Sequence, residues 1–267
     1  MKREIKIFID DTEIAGTLVV PEGASGIVLF AHGGGSSRFS PRNVFVAEKL
    51  QEQGFGTLLI DLLTEKEDEA HETRFDIALL TERLSGIVRS LAEEKETKDL
   101  AVGLFGSSTG AAAALRVASR LGERVVAVVS RGGRPDLAME ELPEVVSPTL
   151  LIVGGNDSGV IELNEKALAA LRSEKKLEIV PGATHLFEER GALEEVARLA
   201  AEWFALFLFP TRSEGGGNEI PEMLEEMEEE GNAKIPPRFR DEAEKPTQPP
   251  GKTRDAAKEG YRHFHRK

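Results

Sequence analysis

Five consecutive residues, Gly106-Ser107-Ser108-Thr109-Gly110, have the types and spacing to build an activated nucleophile. They follow the apolar run Leu100–Phe105 and precede the alanine-rich stretch Ala111–Leu121, which is a strand–tight turn–helix setting. A serine at the centre of such a turn must accept a strained backbone. Flanking glycines remove the side chains that would collide there, and the first amides of the helix point at the negative charge that develops during acyl transfer. Ser108 is the central residue and the candidate nucleophile; Ser107 is its neighbour and competitor. The competing reading is a Gly/Ser turn that only packs a helix on a sheet.

A serine nucleophile needs a base, and the base needs an acid to orient it. The chain has 5 histidines. His263 and His265 lie near the C-terminus, His71 falls in the acidic stretch 65–72, and His32 stands directly before Gly33-Gly34-Gly35. His185, in Pro181-Gly-Ala-Thr-His185, follows the last expected strand and precedes the last long helix, the position a general base requires. Asp157, after Gly154-Gly155-Asn156, is the candidate orienting acid; a helix N-cap or turn aspartate is its ordinary alternative. The order Ser108, Asp157, His185 is that of an α/β-hydrolase triad. The glycine loop 33–35 follows a strand as well, and a backbone N–H there would serve as an oxyanion donor. Gly34 is the expected donor and Thr109 N–H its partner, with Gly33 and Gly35 as further substrate contacts. Arg131 and Arg134 end another strand on the same edge, where either holds an anionic substrate group or braces a loop.

These residues need a scaffold that brings strand ends together. Mostly apolar runs at 26–31, 56–63, 100–105, 125–130, 149–153 and 177–180 read as strands, and short apolar strands of this kind are typical of parallel strands buried on both faces. Amphipathic stretches at 43–53, 75–94, 111–121, 161–171 and 193–208 are helices, and residues 6–20 read as a hairpin around Asp11-Thr12. The alternation gives an α/β protein with a mostly parallel, doubly wound sheet covered by helices on both faces. Ligands of such sheets bind at the carboxyl ends of the strands, where all the candidates fall. Trp203, Phe204, Phe207 and Phe209 are expected to seal the last helix on the sheet, and 65–72 reads as a solvated loop or a lid.

Composition limits the function. The chain has 267 residues, is 40% hydrophobic and carries a net charge of −13. An acidic chain lacks the basic footprint of a nucleic-acid or anionic-membrane binder. Zero cysteines exclude disulfides, thiolate metal sites and a cysteine nucleophile. No apolar run approaches the roughly 20 residues of a spanning helix, and MKREIKIFID lacks a signal-peptide core, so a cytoplasmic protein is expected. Composition shifts near Pro210. Residues 1–210 read as one domain and 211–267 as a low-complexity tail expected to be disordered, in which 220–227 has the spacing of a short helix able to dock on a partner.

The chain resembles the dienelactone-hydrolase-like branch of the α/β hydrolases, in particular the stand-alone form of a hydrolase module found fused to phosphoribosyltransferases. The resemblance rests on Phe30-AHGGGSSRFSPRN-Val44, Gly103-LFGSSTGAAAAL-Arg116, Val129-SRGGRPDLA-Met139, Pro148-TLLIVGGNDSGVIELN-Glu165 and Val180-PGATHLFEE-Arg190. It covers nearly all of 1–210. It implies an α/β-hydrolase fold with Ser108, Asp157 and His185 as triad; together with the residues above, the expected protein is a serine hydrolase of small carboxylic esters or lactones that requires no metal or organic cofactor. Dienelactone hydrolases proper place cysteine where Ser108 stands, so their substrate does not carry over. A catalytically silent binding module, and a nucleotide-binding enzyme using Gly103, Gly106 and Gly110 as a phosphate turn, are the competing readings. With no thiol to modify, hydrolytic activity is expected to survive iodoacetamide; inhibition of the purified protein would contradict a serine mechanism.

Overall fold

The computed structural model describes residues 1–209, which lie in one compact unit. The expected tail 211–267, with its 220–227 helix and its two histidines, lies outside the described residues. Eight strands form one sheet: β1 (Lys2–Ile9), β2 (Thr12–Val19), β3 (Gly26–Ala31), β4 (Gly56–Ile60), β5 (Ala101–Ser107), β6 (Ala127–Arg131), β7 (Thr149–Gly154) and β8 (Lys175–Val180). Their spatial order is β1-β2-β4-β3-β5-β6-β7-β8. β1 and β2 are an antiparallel hairpin, β2 joins β4 antiparallel, and the remaining neighbours are parallel. The fold is the expected α/β sheet. The hairpin is longer than read from the sequence, because β1 begins at Lys2. Its alternating exposed and half-buried residues suit an edge strand with one wet face.

Hydrophobic runs explain the centre. β3, β4 and β7 are buried along their whole length, as are the last five residues of β5 and all of β6. The helices divide between the two faces. α1 (Pro41–Glu52) and α7 (Ala192–Leu208) pack together on one; α4 (Ile77–Leu91) and α5 (Thr109–Leu121) pack together on the other. α6 (Ser158–Ala170) covers β7 and β8. α5 starts at Thr109, two residues earlier than its apolar pattern indicates, so Ser108 takes its N-cap position.

α7 comes close because two strand positions lack side chains. A Cβ on Gly103 would sit 2.7 Å from a ring carbon of Phe204, and one on Gly26 would sit 2.8 Å from Leu208. Phe204 is fully buried and meets Phe55 edge-on at 6.5 Å, while Trp203 is 6% exposed. The aromatic seal read from the sequence is therefore present, with Phe207 and Phe209 half-buried at its border.

The acidic stretch corrects one expectation. Residues 65–74 form two short helices, α2 (Glu65–Glu69) and α3 (His71–Arg74), in place of a loop, although the stretch is solvated as expected, with no buried residue in either helix. Thr64 caps α2 reciprocally with Glu67: its hydroxyl accepts from Glu67 N–H, and the Glu67 carboxylate accepts from Thr64 N–H. The chain then turns over the glycine loop 33–35. Among the described residues no helix is long and apolar enough to cross a membrane.

The β3–β5 pair lies where the strand order reverses: from β3 the chain steps to β4 on one side and returns to β5 on the other. Loops leaving these two strands diverge there and open a crevice at their carboxyl ends. Phe204→Ala empties the space above Gly103. It should lower stability by about 3–5 kcal/mol, seen as a lower denaturant midpoint at unchanged slope.

Candidate active site

Ser108 has φ 50° and ψ −121°, a conformation L-residues avoid. The surroundings impose it. Ser108 N–H donates to the Arg131 carbonyl at 3.3 Å, and the Ser108 carbonyl accepts from Ala111 N–H at 3.1 Å and Arg134 N–H at 3.0 Å. The glycines of the pentapeptide are required by contact. A Cβ on Gly106 would lie 2.4 Å from Ala111 Cα, and one on Gly110 only 2.2 Å from the Ala31 carbonyl oxygen. Ser108 is half-buried at the crevice. Ser107 is 3% exposed and its hydroxyl donates to Asn43 Oδ1 at 3.2 Å. The two adjacent serines therefore differ: Ser108 is partly open to solvent, whereas Ser107 is buried and tied to α1.

Asp157 and His185 meet at 2.7 Å between Oδ2 and Nδ1. Asp157 occupies the N-cap position of α6, yet its side chain caps nothing, and its carboxylate goes to the imidazole. Their loops are laced together. Asn156 N–H donates to the Ala183 carbonyl at 2.9 Å and its side-chain amide to the Gly182 carbonyl at 2.8 Å. A Cβ on Gly154 would be 2.4 Å from the Ala183 carbonyl, so β7 can meet the 181–185 turn this closely only with glycine there. Gly132, at φ 51°, approaches from β6; a Cβ on it would be 3.4 Å from the His185 ring. Among the described residues the Ser108 hydroxyl makes no hydrogen bond, so the imidazole is fixed from the Asp157 side. Hydrogen bonds to a nucleophile commonly tighten only once substrate is bound.

The glycine loop lies against the serine. A Cβ on Gly33 would be 3.0 Å from Ser108 Cβ and 3.6 Å from Oγ. Gly34 N–H donates to Thr109 Oγ1 at 3.0 Å, so the two expected oxyanion donors are neighbours, with the Gly34 amide engaged by a hydroxyl. Gly35 has φ 72°. His32 is buried and bridges two loops: Nδ1 lies 2.9 Å from the Gly33 carbonyl, and Nε2 lies 3.3 Å from Leu62 N–H. The amide donor at Nε2 assigns the proton to Nδ1. His71 meets the Phe75 ring at 4.8 Å, tilted by 39°.

α2 and α3 roof the glycine loop. A Cβ on Gly34 would be 3.1 Å from the Arg74 carbonyl and 3.5 Å from the tip of Phe75, which is 49% exposed. Arg74 is clamped to the Asp68 carboxylate at 3.1 and 3.2 Å, and Glu67 to Arg83 at 2.8 Å. Beside the loop a cleft of about 410 Å³ is lined by His32, Ser36, Ser37, Asp61 and Thr64 among others. The sequence read this roof as irregular. The Thr64-x-x-Glu67 capping box was the signal that could have found it.

The arginines part company. Arg134 is bidentate to Asp136 at 2.8 Å through each oxygen, and this pairing holds its pKa above the ordinary guanidinium value. It therefore braces the turn after β6. Arg131 is buried, and desolvation, with the nearby charge of Arg42, brings its pKa down to about 10.

A mostly parallel sheet with a strained serine between β5 and α5, and an Asp–His pair after β7 and β8, defines an α/β hydrolase. The chain belongs to the dienelactone hydrolase family, whose model matches residues 14–208. It is 54% identical to a structure of dienelactone hydrolase from Anabaena variabilis, which covers 78% of this chain and 98% of that one with a TM-score of 0.77. It is also 54% identical over 201 residues to Mycobacterium tuberculosis proteins named as phosphoribosyl transferases, in two strains. That match takes in 75% of this chain and 45% of each relative, so the chain spans less than half the length of the curated relatives it matches. Est1E from Butyrivibrio proteoclasticus shares the fold at 16% identity and a TM-score of 0.65, covering 75% of this chain and 97% of that one.

Glu67 supplies a pH test of the roof. Burial alone would raise its pKa, but bonds from Thr64 and the Arg83 charge outweigh that and hold it below the usual glutamate value. A depressed folded pKa stabilises above the unfolded value and loses that stabilisation as pH falls through the folded one. Amide exchange across 64–69, corrected for intrinsic rates, should accelerate below about pH 4, and Glu67→Gln should remove most of this dependence.

Proposed function

We propose that the protein is a serine hydrolase of small carboxylic esters or lactones, using Ser108, His185 and Asp157. The observation carrying this reading is the strained Ser108 at the N-terminus of α5, with an Asp157–His185 hydrogen bond of 2.7 Å on the neighbouring strand ends. In this reading Ser108 Oγ attacks the carbonyl carbon while His185 Nε2 takes its proton. Asp157, bonded to Nδ1, fixes the tautomer and stabilises the imidazolium. The tetrahedral intermediate collapses, and His185 gives the proton to the leaving alkoxide. Water, deprotonated by His185, then attacks the acyl-enzyme; the acid leaves and Ser108 regains its proton.

The oxyanion falls to Thr109 N–H, at the positive end of α5, and to Gly34 N–H. Thr109 Oγ1 occupies the Gly34 amide in the free protein, and rotation of that side chain releases it for the substrate oxygen. The nucleotide reading finds less support, because Gly110 is packed on the Ala31 and His32 carbonyls, leaving no open cradle for a phosphate.

The adjacent serines decide the proposal. Ser108→Ala should abolish fluorophosphonate labelling and lower p-nitrophenyl acetate turnover by up to about 10⁶-fold. His185→Ala should approach that loss, and Asp157→Asn should cost less but still a large factor. Ser107→Ala should be mild. Equal, mild losses for the two serine variants, both folded, would refute the assignment.

A further inference from the structure

Arg131 ends β6, paired in register with Ser107 on β5 and Ile152 on β7. It is 7% exposed. Among the described residues its guanidinium has no carboxylate, carbonyl or hydroxyl partner, and its Nε is buried without an acceptor. Unpaired buried charge is costly, and an apolar side chain of similar length would fill the same space more favourably. The group that the guanidinium does meet is a ring: its carbon lies 5.7 Å from the centroid of Phe187. A cation over an aromatic face gains most where water is excluded, and Phe187 is 1% exposed.

Phe187 is itself unusual. Among the described residues three non-glycines have positive φ: Asp10, at the hairpin turn; Ser108; and Phe187, at 55°. A bulky residue in this conformation persists only where its surroundings fix it. Phe187 N–H closes a turn onto the Thr184 carbonyl at 3.2 Å, and His185 lies inside that turn. The Arg131 carbonyl, for its part, accepts from Ser108 N–H. One residue thus touches the nucleophile's backbone through its main chain and the base's turn through its side chain.

We propose that Arg131 is a positioning residue: its guanidinium, seated on the Phe187 ring, holds the strained 184–187 turn so that the Asp157-bonded imidazole of His185 faces Ser108. This role rests on the serine-hydrolase reading above. It gives the buried cation a use that needs no anion. It also departs from the expectation that Arg131 grips an anionic substrate group, and the two roles separate in kinetics.

The experiment compares the full chain with Arg131→Met, Arg131→Lys, Phe187→Leu and the Met/Leu double variant. The readouts are the rate of fluorophosphonate labelling at Ser108, kcat and KM for p-nitrophenyl acetate and for a carboxylate-bearing p-nitrophenyl ester, and thermal midpoint. For Arg131→Met, labelling and kcat should fall on the order of 10²-fold on the neutral ester, with KM little changed. The midpoint should hold or rise, because an unpaired buried charge has gone. Arg131→Lys should recover part of the rate. The double variant should be no slower than the worse single one, since the two side chains act as one contact. Wild-type labelling and kcat in Arg131→Met and Phe187→Leu would overturn the proposal. So would equal losses in the Lys and Met variants, additive losses in the double variant, or a rate loss in Arg131→Met that follows a falling midpoint. A rise in KM confined to the carboxylate-bearing ester would overturn it in favour of substrate binding. A wild-type protein that does not label at Ser108 would instead refute the hydrolase reading itself, and the positioning role with it.

Discussion

The contact between Gly110 and the end of β3 constrains everything around it. With a Cβ at 2.2 Å from the Ala31 carbonyl oxygen excluded, α5 can begin only with glycine at that point. Gly106 meets the same limit against Ala111. Together these two approaches force the chain to reverse within three residues, and Ser108 absorbs the reversal at φ 50°. Strain of this kind costs on the order of 1–3 kcal/mol, and the fully buried alanines 111–114 at the start of α5 supply the rigidity that holds it. The same turn orients its neighbours. Its backbone binds Arg131 and Arg134 of the next strand end, and its first helical side chain, Thr109, binds the glycine loop.

A second tier of close approaches extends from there. Gly132 brings β6 against the His185 ring, and Gly154 brings β7 against the turn that carries it. Each requires backbone within van der Waals reach of another strand's loop. The site is thus assembled from main-chain contacts at successive strand ends, and the side chains that could react project from a surface already fixed. α7 contributes from beneath, since Gly26 and Gly103 let its Leu208 and Phe204 press directly on the central strands.

Much of this was legible in the sequence. Mostly apolar runs marked the buried parallel strands, because burial on both faces erases the alternation that an exposed face would impose. The order of Ser108, Asp157 and His185 placed all three on strand-end loops, and the structure joins Asp157 to His185. What escaped depended on contacts between distant segments. The roof over the glycine loop read as a loop because Glu65–Glu69 has no buried residue to set a helical period; its order comes from a cap and from ion pairs to Arg74 and Arg83. Arg131 and Arg134 looked alike in sequence, but Asp136 stands two residues from Arg134 and none of the described carboxylates reaches Arg131. The Gly34–Thr109 bond spans 75 residues and has no local signature.

His32 works as a strut between two segments. Its ring ties the glycine loop to the chain after β4, with Nδ1 2.9 Å from the Gly33 carbonyl and Nε2 3.3 Å from the Leu62 amide. A side chain of similar size without both nitrogens would leave a buried backbone group with no partner, at a cost of about 1–3 kcal/mol. The loop beside Ser108 thus depends on an imidazole that takes part in no reaction. Loss of activity on replacing a histidine would therefore not by itself identify a general base in this molecule, because one of its histidines is needed for shape alone.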